Sequence, residues 1–275
     1  MTFVDSHHHV WTLARGDYQW ITPQLAPLFR DYGLHDYVEV APPGVRHSVL
    51  VQAAPTTAET RFLLDVARDS RGQVLAVVGW ADLDDPSASI ALEDLSRDPL
   101  LRSIRPMLQN LPDPDWILRP QVQDALSALH ALGLRFDALV KPPQLPALVR
   151  MLERNPDLNV VIDHGGKPPI ASGAFEPWAT LMRAAAAHTR TYCKLSGLVT
   201  EARGGWGTAT LRPYVEHLFE CFGADRMMWG SDWPVVELNG GLAAWWRETE
   251  SFLRPLDAAA RDAVLGGNAR RFYGA

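Results

Sequence analysis

Eight short apolar runs, separated mostly by segments of helical periodicity, constrain this 275-residue chain more than any other feature. The first lies around Val4, before a histidine triplet. The others occupy 48–53, 74–80, 101–106, 134–140, 159–164, 191–195 and 227–230. Helical patterns fall at 57–70, 87–97, 119–132, 145–154, 177–188 and 210–222, and over a tail from 240 to 273 broken at Arg254-Pro255. The apolar runs do not alternate cleanly between apolar and polar positions, as expected of parallel strands buried on both faces. Eight strands alternating with helices in one chain of this length predict a (β/α)8 TIM barrel, a single domain over 1–275. The competing layout is an open doubly wound sheet, and no Gly-rich dinucleotide turn follows an early strand to support it. The stretch 12–33, rich in proline and aromatics, shows no period and reads as a long functional loop.

Charge and cysteine usage narrow the function classes. A formal net charge of −6 without any basic run argues against nucleic acid or an anionic membrane as partner. No apolar stretch reaches the length of a membrane span, and Asp5 and the histidines come too early for a signal peptide. The two cysteines, Cys193 and Cys221, lack a Cys-x-x-Cys spacing and suggest a reducing cytoplasm. The partner expected is a small molecule, with a homo-oligomer left open.

A barrel of this kind carries its active site at the C-terminal strand ends. The first strand ends in His7-His8-His9. Alternation puts His7 and His9 on one face and His8 on the other. Gln52 ends the second strand and Arg105 the fourth, Asp137 lies in the fifth, and Asp163-His164-Gly165-Gly166-Lys167 follows the sixth. Lys194 and Ser196 belong to the seventh and Gly230-Ser231-Asp232-Trp233-Pro234 to the eighth. Each residue has a structural reading, and their coincidence at strand ends favours a site. Alternation assigns Asp163 and His164 to opposite faces, with His164 the better candidate. The chemistry suits hydrolysis: Asp232 as general base, with histidines and a cation polarising a carbonyl. No Gly-x-Ser-x-Gly elbow supports a serine nucleophile. Trp11, Trp80 and Trp233 lie near strand ends and are candidates to stack on a sugar ring.

These residues together resemble the amidohydrolase superfamily. The segments 5–11, 163–168, 194–198, 230–234 and 267–273 resemble its amidohydrolase-related branch of sugar lactonases and pyrone-dicarboxylate lactonase, and the resemblance runs from residue 2 to the C-terminus. It implies a lactonase of carbohydrate catabolism in which Asp232 activates water and returns a proton to the leaving oxygen. His7, His9 and His164 surround the carbonyl, and Arg105, Lys194 and Gln52 contact substrate. The wider superfamily's metal-bridging lysine or glutamate on strand four is absent, with Arg105 in its place, and strand five offers Asp137 instead of histidine. A dinuclear centre is therefore not expected. A single zinc or other divalent cation held by His7, His9, His164 and Asp232 remains open, and no obligatory metal is the favoured expectation. One strand-end arginine leans towards a neutral aldonolactone, such as one derived from fucose, rhamnose or galactose. The alternatives are a pyrone-dicarboxylate or muconolactone-type lactone, a zinc-dependent decarboxylase of the same fold, and a non-catalytic carbohydrate-binding barrel.

Overall fold

In the computed structural model, which describes residues 2–274, eight parallel strands form one sheet in sequence order. They are β1 (Phe3–His8), β2 (Val45–Val51), β3 (Val74–Gly79), β4 (Leu101–Ile104), β5 (Arg135–Ala138), β6 (Val160–Ile162), β7 (Thr191–Leu195) and β8 (Met227–Trp229). Each pairs with the next in a parallel ladder. This is the expected TIM barrel.

The closing seam between β8 and β1 is a clasp and not a regular ladder. Asp232 N donates to His7 O at 2.8 Å, and His9 N to Trp233 O at 2.7 Å. Ser6 Oγ donates to Trp229 O at 2.7 Å, and Asp5 Oδ1 accepts from Ser231 N at 2.9 Å and His7 N at 3.0 Å. The two chains come so close at Gly230 that a Cβ there would stand 2.7 Å from the His7 Cβ, so glycine is required for closure.

The helices are α1 (Leu34–Val40), α2 (Thr57–Asp69), α3 (Ala88–Ser96), α4 (Pro120–Ala131), α5 (Leu145–Arg154), α6 (Trp178–Ala186), α7 (Thr208–Arg226), α8 (Leu242–Leu253), α9 (Ala258–Asp262) and α10 (Asn268–Tyr273). In α2 the Thr56 side chain accepts from Glu59 N at 3.0 Å, an N-cap. α5 buries Leu145, Leu148, Met151 and Leu152 along one face, the helical spacing that marks it in the sequence. α1 was not expected: seven residues with only Tyr37 buried give no readable period. α7 runs past its expected end, because the chain turns at Gly223 (φ 63°) and then resumes helical hydrogen bonding.

The core has two layers. Val4, Val49, Val51, Ala76, Val78, Val161 and Met228 fill the barrel interior with Phe272 and Tyr273 from α10. A larger shell of Leu, Val and Trp side chains packs strands against helices. The stretch 12–33 holds one 3-10 turn, Leu13–Arg15, and folds over the barrel mouth around Trp11, Tyr18 and Tyr32. No helix among the described residues is long and apolar enough to cross a membrane.

Candidate active site

The seam places the last strand's carboxylate against the first strand's histidines. Asp232 Oδ1 lies 3.4 Å from His9 Nε2, 3.7 Å from His7 Nε2 and 3.8 Å from His164 Nε2. Asp232 reaches this position from a left-handed backbone (φ 56°) directly after β8. All four side chains are almost wholly buried, so their interactions act in a poorly screened medium. His8 points away, stacked on Tyr37 at 4.0 Å between ring centroids.

Alternation fails at Asp163 and His164. The two were assigned to opposite faces, yet both enter the interior, because the strand ends at Ile162. His164 (φ 55°) and Gly165 (φ 59°) then take left-handed conformations that turn the imidazole inward. Glycine-rich sequence after His164 was the available signal for that turn. Gly197 packs so tightly that a Cβ on it would sit 2.4 Å from His164 Nδ1, which holds the ring against Ser196 Oγ at 2.9 Å.

Beneath the histidines lies a ladder of charge. Lys194 Nζ donates to Asp137 Oδ2 at 2.5 Å, pairs with Asp163 Oδ1 at 3.0 Å and contacts His7 Nδ1 at 3.1 Å. Ser103 Oγ donates to Asp137 Oδ1 at 2.5 Å, and Tyr273 Oη donates to Asp137 Oδ2 at 2.8 Å from the barrel floor. Arg105 Nη1 donates to Asp163 Oδ2 at 3.1 Å and stands 3.4 Å from His7 Nε2. Its Nε and Nη2 grip Gln52 Oε1 at 3.0 and 2.7 Å, and Nη2 also bonds Gln52 O.

These contacts correct several expectations. Lys194 has no exposed surface and its charge is spent on two carboxylates, so it supports His7 from below and does not reach substrate. Gln52 is likewise committed to Arg105. Trp11 is fully buried, its indole N–H donating to Arg30 O at 2.8 Å, and Trp233 packs edge-on to Tyr32 at 5.0 Å; both are packing residues. Of the three tryptophans, Trp80 lines a cleft between the loops after β1 to β4, and Trp233 borders a smaller surface pocket beside Tyr32 and Arg30. Asp5 went unassigned in the sequence, although it binds Ser231 N and Tyr37 Oη (2.7 Å) and so fixes the closure that places Asp232.

Electrostatics set protonation. Burial pushes the His7 imidazole well below its ordinary value, with the Lys194 ammonium adding to the effect. Burial holds His164 down to about 4 against the opposing pull of Asp232 and Asp163. Both rings are neutral at pH 7. Burial alone would raise Asp232, but His164, the His9 hydrogen bond and His7 outweigh it and keep the carboxylate well below its usual range. Asp163 is lowered likewise: Lys194, His7 and Arg105 overcome its desolvation. Asp137 is raised by burial and by its neighbour Asp163.

The donor set fits one metal ion. His7, His9 and Asp232 offer ligand atoms within 4.8 Å of one another, as do His7, Asp163 and His164. Zinc–nitrogen bonds of about 2.0–2.1 Å place tetrahedral donors roughly 3.3 Å apart. The separations of 3.4 to 3.8 Å around Asp232 Oδ1 are close to that. His9 is the best prepared ligand: its Nδ1–H donates to Val51 O at 2.8 Å, which fixes the ring with Nε2 directed at Asp232. In the group of His7, Asp163 and His164, the Lys194 ammonium contacts both Asp163 and His7.

Comparison with known proteins extends this picture. A family model described as "Amidohydrolase" matches residues 4–275. The chain is 47% identical to the L-fucono-1,5-lactonase of Burkholderia ambifaria over 282 residues, covering 99% of this chain and 96% of that one. It is 35% identical to the L-fucono-1,5-lactonase of Burkholderia multivorans, covering 98% of this chain and 95% of the relative. An amidohydrolase from Burkholderia multivorans, crystallised with bound zinc, superposes with a TM-score of 0.93 at 34% identity, covering 100% of this chain and 99% of the other.

Proposed function

The chain belongs to the amidohydrolase family, and from that membership and the site's geometry we infer that it is a sugar lactonase, opening an aldonolactone ring to the hydroxy acid. It is a carboxylic-ester hydrolase, and the L-fucono-1,5-lactonase names of two relatives make the 1,5-lactone of fuconic acid its leading substrate. One observation carries the catalytic reading: three imidazoles converge within 4 Å on a single carboxylate oxygen at the mouth of the barrel.

In the mechanism proposed, Asp232 takes a proton from water while the hydroxyl adds to the lactone carbonyl carbon. The ring C–O bond then breaks, and the leaving oxygen takes the proton from Asp232. Held so far below the ordinary carboxylate range, Asp232 is always ionised but weakly basic. The carbonyl must therefore be strongly polarised. An imidazole N–H supplies a hydrogen bond, and the Arg105 guanidinium, bonded to Asp163 and Gln52, adds its positive field in a site from which solvent is largely excluded. His9, His164 and Asp232, joined by His7, would hold a single divalent cation. Such an ion would supply Lewis-acid polarisation of the carbonyl and a more acidic water. A lactone's ring oxygen leaves more readily than an amide nitrogen, and the buried Arg105 is a resident cation, so the mechanism proposed does not require the metal.

The site favours a neutral lactone over a dicarboxylated one. Arg105 is already bound to Asp163 and Gln52. Arg15 pairs with Asp17 at 2.6 Å, Arg30 lies over Tyr32 at 4.0 Å, and Arg203 is exposed, which leaves no arginine fork for a second carboxylate.

The test is a lactone panel followed with a pH indicator, using chelated protein, zinc-supplied protein and Asp232→Asn. Chelator-resistant opening of an aldonolactone, lost in Asp232→Asn, is expected. Turnover only with zinc would refute the metal-independent step. Fast hydrolysis of a pyrone dicarboxylate without action on aldonolactones would refute the substrate class.

A further inference from the structure

A cavity of about 820 Å³ is separate from the catalytic carboxylate and histidines, none of which lines it. It opens between the loops after β1, β2, β3 and β4, beside Arg105, whose neighbour Pro106 forms part of its wall. Three half-buried tryptophans, Trp20, Trp80 and Trp116, line it, with the amides of Gln19 and Asn110 and the carboxylates of Asp82 and Asp85. A monosaccharide lactone of about eleven heavy atoms would fill only a corner of such a space, since cavities of roughly 300–1,000 Å³ suit ligands of drug size.

We propose that this cleft is a second sugar subsite, and that the enzyme accepts lactones of disaccharide acids, in which a glycosyl unit is attached to the aldonolactone. The inference rests on the lactonase reading and extends it to the size of the substrate.

The lining matches a neutral polyol. No Lys, Arg or His stands among the lining residues, so a phosphate or carboxylate would find no counter-charge. Two of the four carboxylates are charge-compensated, Asp17 by Arg15 at 2.6 Å and Asp84 by Arg119 at 2.6 Å, while Asp82 and Asp85 accept from the backbone N–H groups of Asp84 at 3.2 Å and Ser87 at 2.7 Å. They serve as hydrogen-bond acceptors for hydroxyls. Tryptophan faces cover the C–H face of a pyranose while amides and carboxylates bond its rim. Trp20 is fixed for this purpose, with its indole N–H donating to Ala53 O at 2.8 Å. The cleft is also close to the chemistry. Trp11 touches His9 at 6.5 Å between ring centroids and Trp20 at 5.8 Å, so two ring contacts lead from a catalytic imidazole to the cleft wall.

The experiment compares kcat/KM for a monosaccharide aldonolactone with that for a disaccharide aldonolactone, each corrected for spontaneous opening. It uses the full chain, Trp116→Ala and Asn110→Trp; Asn110 is exposed, and a tryptophan there fills the cleft without disturbing the core. Wild-type protein is expected to open both substrates. Both variants are expected to lose tenfold or more on the disaccharide lactone while keeping monosaccharide turnover within about twofold. No wild-type turnover of the disaccharide lactone, or equal changes on both substrates in the folded Asn110→Trp protein, would overturn the subsite. Loss of monosaccharide turnover by wild-type protein would instead strike the lactonase reading itself.

Discussion

Replacing Lys194 with methionine tests whether the buried charge ladder holds the site in place. The substitution keeps most of the side chain's volume and removes one cation from between Asp137 and Asp163. Breaking a buried ion pair by deleting one partner costs about 3–5 kcal/mol, because the remaining charge is stranded. For a domain of this size each kcal/mol shifts the melting temperature by roughly 2–4 °C, so a fall of about 10 °C is expected near pH 8. Asp137 then has no cation, Asp163 keeps only Arg105, and Asp137 will be protonated more readily. The deficit should therefore shrink as pH falls from 8 towards 5. Asp137→Asn added to Lys194→Met removes one stranded charge and should recover about half of the loss. The same variant loses the donor to His7 Nδ1, and kcat should fall more than KM rises. The assay is urea unfolding at pH 8, 6.5 and 5 for wild type, single and double variants. A Lys194→Met protein within about 1 kcal/mol of wild type at pH 8, with no change across the pH series, would refute the ladder as a stabilising device.

Other predictions follow from single groups. His8 is buried with no hydrogen-bond partner at either ring nitrogen, and burial drives it down to about 3. Between pH 3 and 6.5 the unfolded chain binds the His8 proton and the folded chain does not, so this group lowers stability as pH falls. His8→Phe keeps the stack on Tyr37 and should gain about 2 kcal/mol more at pH 5 than at pH 8, read by urea unfolding. Tyr273→Phe removes the hydroxyl bonded to Asp137 and should cost about 1–2 kcal/mol without altering the aldonolactone specificity, checked by unfolding and a two-substrate assay. Asp232 and His164 are both held low, so the acid limb of kcat/KM should lie at or below about pH 4; a limb near 6.5 would show that an ordinary histidine controls it.

Much of this was legible in the sequence because it rests on local pattern. Long helices such as α5 and strands such as β7 show the required periodicity, and the eight strand ends bring His7, His9, Arg105 and Asp232 to one face by topology alone. What was hidden depends on distance and direction. Nothing local distinguishes a lysine reaching substrate from one buried between two carboxylates on neighbouring strands, so Lys194 was misread. Strand alternation gave the wrong face for Asp163 because it assumes that the strand continues, whereas His164 leaves it in a left-handed turn. Trp11 and Trp233 were offered to the substrate, but the fold of 12–33, which has no period to read, covers them with Tyr32 and Arg30. Asp5 was hidden for a related reason: its partners lie 226 residues away at Ser231 and 32 residues away at Tyr37.

The clasp between β1 and β8 also sets when this protein can begin to work. Its hydrogen bonds join residues separated by more than 220 positions, so their closure entropy must be met after nearly all of the chain has been made. During synthesis the histidines emerge first and the base last, and α10, which carries Tyr273 to the barrel floor, follows the base. A nascent chain with seven strands exposed already has its imidazoles and Arg105 but lacks Asp232, the base proposed above. On that proposal activity arises in a single late step, and a truncation that removes the final strand is expected to abolish it.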